Sequence, residues 1–267
     1  WIVVGLLIGY VLKDVEKTSI PLQIAAGSSL LMGLYSFALP HTPPKGADKK
    51  VTLGDIFGIE AWGLLKDRYF LVFAVASLFI SATTSFYINL GNLFFNQQHL
   101  PNPAALMTGG QISEFVLTAM LAYFFVKLGI KWMLVMGMLS WSLRYFLMMG
   151  DAGPGYVMWI LAIVVHGFCY GFFFTAGQVY VGKVAPKSIQ ASAQGFIALI
   201  TFGLGQGAGS KISGYIMDMN TVDSVTNWSR VWMVPAVVSL VAGLLFAVLF
   251  KVVPAEGAAT DIPDTAE

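Results

Sequence analysis

The sequence predicts an all-α membrane protein that crosses the bilayer several times. Hydrophobic residues make up 57% of the 267 residues and charged residues only 11%, whereas a soluble domain carries about 25% charged residues. The hydrophobic residues fall into long runs that are apolar on nearly every side, while the strands of membrane barrels are short and alternate apolar with polar positions. Helices of roughly 20 residues, which span a hydrocarbon layer about 30 Å thick, are therefore the predicted elements.

Eight such runs follow one another along the chain. The first is short, and because the sequence begins within it we expect the chain to be a fragment of a longer protein. Ten of the 15 basic residues lie on one side of the predicted spans and three on the other, so the positive-inside rule places the 40–68 connection and the C-terminus in the cytoplasm. The predicted spans are Trp1–Leu12, Pro21–Leu39, Tyr69–Phe95, Ala105–Lys127, Trp132–Gly150, Gly155–Val181, Ala191–Met217 and Val231–Val253.

Charge and cysteine content exclude several classes of protein. With 15 basic and 14 acidic residues the net charge is +1, so we expect no nucleic-acid binding through a basic surface. One cysteine, Cys169, cannot form a multi-cysteine metal site. Neither a phosphate-binding loop nor an HExxH or GxSxG motif occurs. We therefore expect no metal, no cofactor and no enzymatic activity.

Polar side chains recur at helical spacing in three spans, which places them on stripes along single helix faces. If the three stripes face one cavity, they line a polar and aromatic pocket. The stripes are Ser81, Ser85, Asn89, Asn92 and Asn96 on the third span, Thr108, Gln111, Glu114 and Thr118 on the fourth, and His166, Tyr170, Phe173 and Gly177 on the sixth.

Glu114 is the one acidic residue well inside a predicted span, where ionisable groups are costly and usually functional. Removal from water favours the neutral carboxyl group, so Glu114 could bind and release a proton. The alternative is a structural ion pair with Arg144 or Lys211. Arg144 itself is either a counter-charge or substrate ligand, or a snorkelling or structurally paired side chain. His166 could carry a proton or bind a polar substrate, or it could hydrogen-bond a neighbouring helix.

The remaining candidates would bind a substrate by stacking or by hydrogen bonds. Tyr170 and Phe173 could stack on a planar substrate, although aromatic residues in membrane helices commonly pack. Gln111, Ser85 and Asn89 could hydrogen-bond a substrate, or they could bond neighbouring helices. These five residues join Glu114 and His166 in the predicted substrate site.

Several stretches of the chain, taken together, resemble the bacterial nucleoside:proton symporters, a branch of the major facilitator superfamily. By this resemblance the chain covers helices five to twelve of an expected twelve, so that eight are present. The matching stretches are Leu39–Pro43, Phe57–Ala61, Leu65–Lys66, Gln111–Glu114, Gly129–Lys131, Trp141–Tyr145, Ala185–Pro186 and Ala191–Gly195.

The resemblance implies a domain organisation. Residues 1–39 would be the last two helices of the N-terminal bundle, 40–68 the cytoplasmic inter-bundle loop, and 69–253 the C-terminal six-helix bundle. Residues 254–267 are rich in small and acidic residues, and we expect a disordered cytoplasmic tail.

The resemblance also implies a function. It implies proton-coupled uptake of nucleosides across a bacterial inner membrane by alternating access, with Gln111 and Glu114 binding the nucleoside. We expect a monomer in the lipid bilayer whose partners are a nucleoside and a proton. Transport of another small polar solute such as a sugar, or a membrane receptor that does not transport, are the alternatives.

Overall fold

The described part of the chain is almost entirely helical. The computed structural model describes residues 2–12, 15, 18–42, 58–151 and 153–251, so the predicted tail at 254–267 and the 43–57 part of the predicted loop lie outside it. The α-helices are α1 (Ile2–Leu6), α2 (Ile20–Ser36), α3 (Ile59–Trp62), α4 (Arg68–Gln97), α5 (Pro103–Ala119), α6 (Leu121–Met149), α7 (Val157–Val164), α8 (His166–Cys169), α9 (Ala176–Val184), α10 (Gln190–Ala198), α11 (Gln206–Met219) and α12 (Trp228–Leu249). A hairpin of β1 (Thr221–Val222) and β2 (Val225–Thr226) pairs antiparallel between α11 and α12.

Polar side chains cap the N-termini of two long helices, α4 and α12. Oδ1 of Asp67 accepts hydrogen bonds from the backbone N–H groups of Tyr69 and Phe70, at 2.9 and 2.7 Å, before α4. Oδ1 of Asn227 accepts from the N–H of Arg230 at 3.2 Å before α12. These caps satisfy backbone donors that have no partner within the helix, so they fix where each helix starts.

The boundary between the fourth and fifth predicted spans coincides with a kink at Gly129. This residue has φ 68° and ψ 164° within α6, a conformation that glycine adopts without the steric cost of a side chain. The fourth predicted span is also interrupted at Met120, where α5 has ended and α6 has not begun. The predicted turn between the fourth and fifth spans is therefore a kink at one residue, Gly129, within α6.

Two further predicted spans contain π-helical turns. Residues Tyr170–Thr175 form one such turn between α8 and α9, and Leu199–Gly205 form another between α10 and α11. A π-helical turn holds more residues than an α-helical turn, so the side chains that follow it face a different direction from the one an uninterrupted α-helix would give them. Stripes calculated from regular helical spacing therefore change face across these turns.

Among the residues that the structure describes, four helical segments are long and apolar enough to cross a membrane. They are Arg68–Gln97, Leu121–Met149, Val157–Val184 and Trp228–Leu249. Within the described ranges, Ile2–Val11 is a shorter apolar helix. These lengths agree with a multi-pass membrane protein, and the count of eight spans stays a prediction.

Interhelical hydrogen bonds fix α6 in the core of the described helices. The hydroxyl of Tyr145 donates to the carbonyl oxygen of Thr83 on α4 at 2.6 Å. The hydroxyl of Ser142 donates to the carbonyl oxygen of Ala236 on α12 at 2.8 Å. Because α6 is held on both sides, the side chain of Arg144 between these two residues is directed into the protein interior, where it is fully buried.

Candidate functional site

Three of the predicted site residues come together where α5 packs against α8, namely Glu114, His166 and Tyr170. Gln111 and Glu114 lie on α5, His166 begins α8, and Tyr170 begins the π-helical turn that follows. Nε2 of His166 lies 3.4 Å from Oε2 of Glu114, and the imidazole stacks on the ring of Tyr170 with a centroid distance of 4.3 Å. The Glu114 side chain is 36% exposed and that of His166 is 13% exposed, so the carboxylate is the more open end of the pair.

Arg144 lies on the other side of His166. Its Nη1 is 2.8 Å from Nδ1 of the imidazole, and its Cζ is 3.3 Å from the ring centroid of Tyr87 on α4. A guanidinium over an aromatic face is stabilised by the ring's electrons, most strongly away from water. The complete burial of Arg144 contradicts the snorkelling interpretation. The imidazole of His166 lies between the carboxylate of Glu114 and the guanidinium.

Polar atoms without partners adjoin this group. Oε1 of Gln111 and Nε and Nη2 of Arg144 are buried and have no hydrogen-bond partner among the described residues. Because buried polar groups are nearly always bonded, such atoms mark places where water, a ligand or another conformation completes the hydrogen bonds. The described residues contain no cluster of three or more His, Cys, Asp or Glu side chains suited to a metal ion.

Phe173 lies away from Tyr170 because of the π-helical turn. Its side chain is 2% exposed and packs against α6 at Gly137, where an added Cβ would come within 2.9 Å of the Phe173 Cβ. Phe174 follows Tyr170 instead, with ring centroids 5.3 Å apart. Phe173 contributes to a neighbouring cavity of about 30 Å³ that Phe73, Gly177 and Thr201 also line.

Ser85 and Asn89 contact α11. The hydroxyl of Ser85 donates to the carbonyl oxygen of Gln206 at 3.0 Å, and Nδ2 of Asn89 donates to Oγ of Ser213 at 3.2 Å. Both bonds join α4 to α11, which matches the structural interpretation of these residues. The structure does not bring either side chain to Glu114.

Tyr87 and Trp141 also belong to the group, although the sequence patterns did not predict them as site residues. The Trp141 ring lies 5.4 Å from that of Tyr170 and 5.5 Å from Cζ of Arg144. Its position three residues before Arg144 makes the two neighbours on one helix face, which is a usable sequence signal. Gly91, one turn after Tyr87, is a weaker signal, since an added Cβ there would lie 3.1 Å from the Tyr87 ring.

A glycine sets the distance between α5 and α8. A Cβ added to Gly167 would lie 2.5 Å from the hydroxyl oxygen of Ser113, and that hydroxyl donates to the carbonyl oxygen of Val164 at 2.6 Å. Gly167 follows His166 and Ser113 precedes Glu114, so this contact controls how closely the imidazole approaches the carboxylate.

Replacing Gly167 by alanine is expected to push α8 away from α5 and to lower the free energy of unfolding by about 1–3 kcal/mol, the usual cost of overpacking. Gly171→Ala is the matched control, because a Cβ there meets no atom closer than 3.6 Å. Melting temperatures of the purified variants measure the difference. Equal melting temperatures for the two variants would contradict a close helix contact at Gly167.

Comparisons with known proteins identify what this chain resembles. A family model described as nucleoside H⁺ symporter matches residues 1–254. The putative nucleoside transporter YegT of Escherichia coli K12 is 34% identical over 265 residues, which cover 94% of this chain and 62% of that protein. The xanthosine permease of the same organism is 32% identical over 256 residues, 90% of this chain and 60% of that protein.

The solved structures agree with the sequence comparisons. A crystal structure of the nucleoside transporter NupG superposes with a TM-score of 0.78 at 28% identity and covers 94% of this chain and 65% of that chain. A crystal structure of a NupG point mutant gives a TM-score of 0.81 at the same identity and coverage. The chain spans about three fifths of the length of the curated relatives it matches.

Proposed function

Because this chain belongs to the nucleoside H⁺ symporter family, we propose that it is part of a transporter that imports nucleosides together with protons across the inner membrane. The observation that carries the proposal is the contact between Glu114 and His166 at 3.4 Å. His166 lies within Val157–Val184, a helical segment that is long enough to cross a membrane. In a membrane, a carboxylate beside such a helical segment is costly unless it serves a polar path. In this proposal that path is the nucleoside and proton route.

Each member of the group has a chemical role in the proposed transporter. The unpartnered Oε1 of Gln111 accepts a hydrogen bond from a ribose hydroxyl or a base amine. Glu114 takes up and releases the proton, and its partial exposure gives a solute access to it. Tyr170 has one ring face covered by His166, so it contacts the base through the rest of its ring.

The proposed architecture places this group at the middle of an alternating-access transporter. Residues 69–253 would form the C-terminal six-helix bundle, 1–39 the last two helices of the other bundle, and 40–68 the cytoplasmic loop between them, with the C-terminus cytoplasmic. Support comes from the helical segment Ile2–Val11, where Gly5 packs against Thr108 and Gly9 against Ala105 of α5. Helices from the two bundles would then meet along the helix that carries Gln111 and Glu114, where substrate binds in such folds.

Uptake of labelled uridine and adenosine by the full-length protein tests the proposal. In cells that lack other nucleoside carriers, we expect uptake that is saturable and that collapses when an uncoupler removes the proton gradient. Excess unlabelled nucleoside should compete, and sugars should not. Competition by sugars would favour the sugar-transporter alternative, and nucleoside binding without flux in proteoliposomes would favour a receptor.

A further inference from the structure

His166 lies between a permanent hydrogen-bond donor and a carboxylate. Nη1 of Arg144 approaches Nδ1 at 2.8 Å, and Oε2 of Glu114 approaches Nε2 at 3.4 Å. Arginine has five N–H donors, no acceptor, and a charge that it keeps at any physiological pH. The short contact on the Nδ1 side is therefore a hydrogen bond only if Nδ1 is the acceptor.

An acceptor at Nδ1 determines where the imidazole proton lies. A neutral imidazole carries one N–H, so a bare Nδ1 requires the proton on Nε2. Nε2–H then points toward Glu114 and can donate to its carboxylate. The opposite orientation of the ring would place carbon atoms at both contacts and leave the guanidinium and the carboxylate without a partner.

The surroundings of His166 also oppose the doubly protonated imidazolium. That form would place an N–H at Nδ1 against the N–H of Arg144, two donors at 2.8 Å with like charges. Glu114 would favour the imidazolium from the other side of the ring, but its carboxylate lies farther from the imidazole, at 3.4 Å. The titratable or charged groups facing the imidazole or its guanidinium partner are Glu114 from α5, Arg144 from α6, Tyr87 from α4, Cys169 from α8 and Tyr170 from the π-helical turn.

We propose that Arg144 is a positioning residue that holds His166 as the neutral Nε2–H tautomer, so that His166 is a fixed donor to Glu114 and not a carrier of the transported proton. Of the roles that the sequence left open for His166, the proposal selects the hydrogen bond to a neighbouring helix. The imidazole orients the carboxylate, and the proton binds Glu114. The part of the inference that concerns the transported proton rests on the proposed function, whereas the tautomer does not.

Nitrogen-15 NMR of the histidine side chains tests the tautomer directly. The His166 resonances in the full-length protein are those that are absent from a His166→Gln sample. We expect an unprotonated Nδ1 and a protonated Nε2 that persist from about pH 8 to about pH 5, the range in which an ordinary histidine gains its charge. A protonated Nδ1, or titration of both nitrogens in that range, would overturn the proposal.

Substitutions at Arg144 separate positioning from a general structural role. Arg144→Lys keeps a cationic donor and is expected to keep the Nε2–H tautomer, while Arg144→Met removes the donor and is expected to let Nδ1 become protonated as the pH falls. If both variants fold and give the same histidine spectrum as the wild type, Arg144 does not set the tautomer. If the Met variant does not fold, a protonated Nδ1 in the wild type or in the Lys variant would still refute the proposal.

Substitutions at His166 test the role in transport. Glutamine can accept from Arg144 and donate to Glu114 but cannot be protonated, whereas alanine can do neither. We expect His166→Gln to transport at least about tenfold faster than His166→Ala, the effect of one hydrogen bond to a charged group. Loss of proton coupling in both variants to the same extent would make His166 a proton carrier. Absence of nucleoside uptake by the wild type would refute the proposed function and leave the tautomer standing.

Discussion

Replacing Glu114 by glutamine is expected to abolish accumulation of nucleoside against its gradient, while exchange of nucleoside across the membrane remains detectable. Glutamine keeps the size of the side chain and can accept from Nε2 of His166, which lies 3.4 Å from the carboxylate. It cannot bind and release a proton. One charge that moves with the nucleoside across about 100 mV supplies about 2.3 kcal/mol, or roughly 40-fold accumulation. Without the proton the ratio should fall to about 1, since no driving force is left.

Proteoliposomes that contain the full-length protein and an imposed proton gradient measure this ratio with labelled uridine. Glu60→Gln is the matched control, because it makes the same chemical change on the exposed surface of α3 and should retain accumulation. Exchange is measured without a gradient, with unlabelled uridine inside the vesicles. Accumulation by Glu114→Gln at the wild-type level would remove Glu114 as the site of the transported proton.

The sequence predicted the long helices well because their cause is local. Each run of apolar residues lies within the helix that it predicts. The side chain of Asp67 caps α4 from the position just before it. The predicted spans that end at Lys127 and begin at Trp132 also bracket the kink at Gly129 that the structure shows. The π-helical turn at Tyr170–Thr175 could not be predicted in this way. It lies where Phe172 and Phe173 pack closely against Gly137 of α6, and such a contact between distant parts of the chain leaves no local pattern.

The site was predicted in part for a similar reason. Helical spacing shows which side chains share a face, and it grouped His166 with Tyr170, whose rings stack in the structure. Spacing does not show which helix a face meets. Ser85 and Asn89 have the same regular spacing, yet their stripe meets α11. The link from Arg144 through His166 to Glu114 depends on how three helices cross, so it became visible only in the structure.

The interface between α4 and α11 has a glycine at its centre. A Cβ added to Gly209 would collide with the carbonyl oxygen of Ala82 and lie 2.6 Å from its Cα. The hydrogen bonds from Ser85 and Asn89 to α11 lie along the same face. The two backbones are therefore in contact at a point where no side chain fits, which is how small residues permit close packing of helices in membranes. A side chain at this position has to separate the helices and break the neighbouring bonds.

Gly209→Val is accordingly expected to lower the free energy of unfolding by at least about 3 kcal/mol, the upper end of the cost of overpacking. Gly207→Val is the control on the same helix, because no atom lies within 4 Å of a Cβ added there. Melting temperature and the fraction of monodisperse protein after heating measure both variants. Valine is equally β-branched at the two positions, so helix propensity cannot produce a difference between them. A large loss at Gly209 alone would thus come from the contact with Ala82, and equal losses would mean that the helices do not touch there.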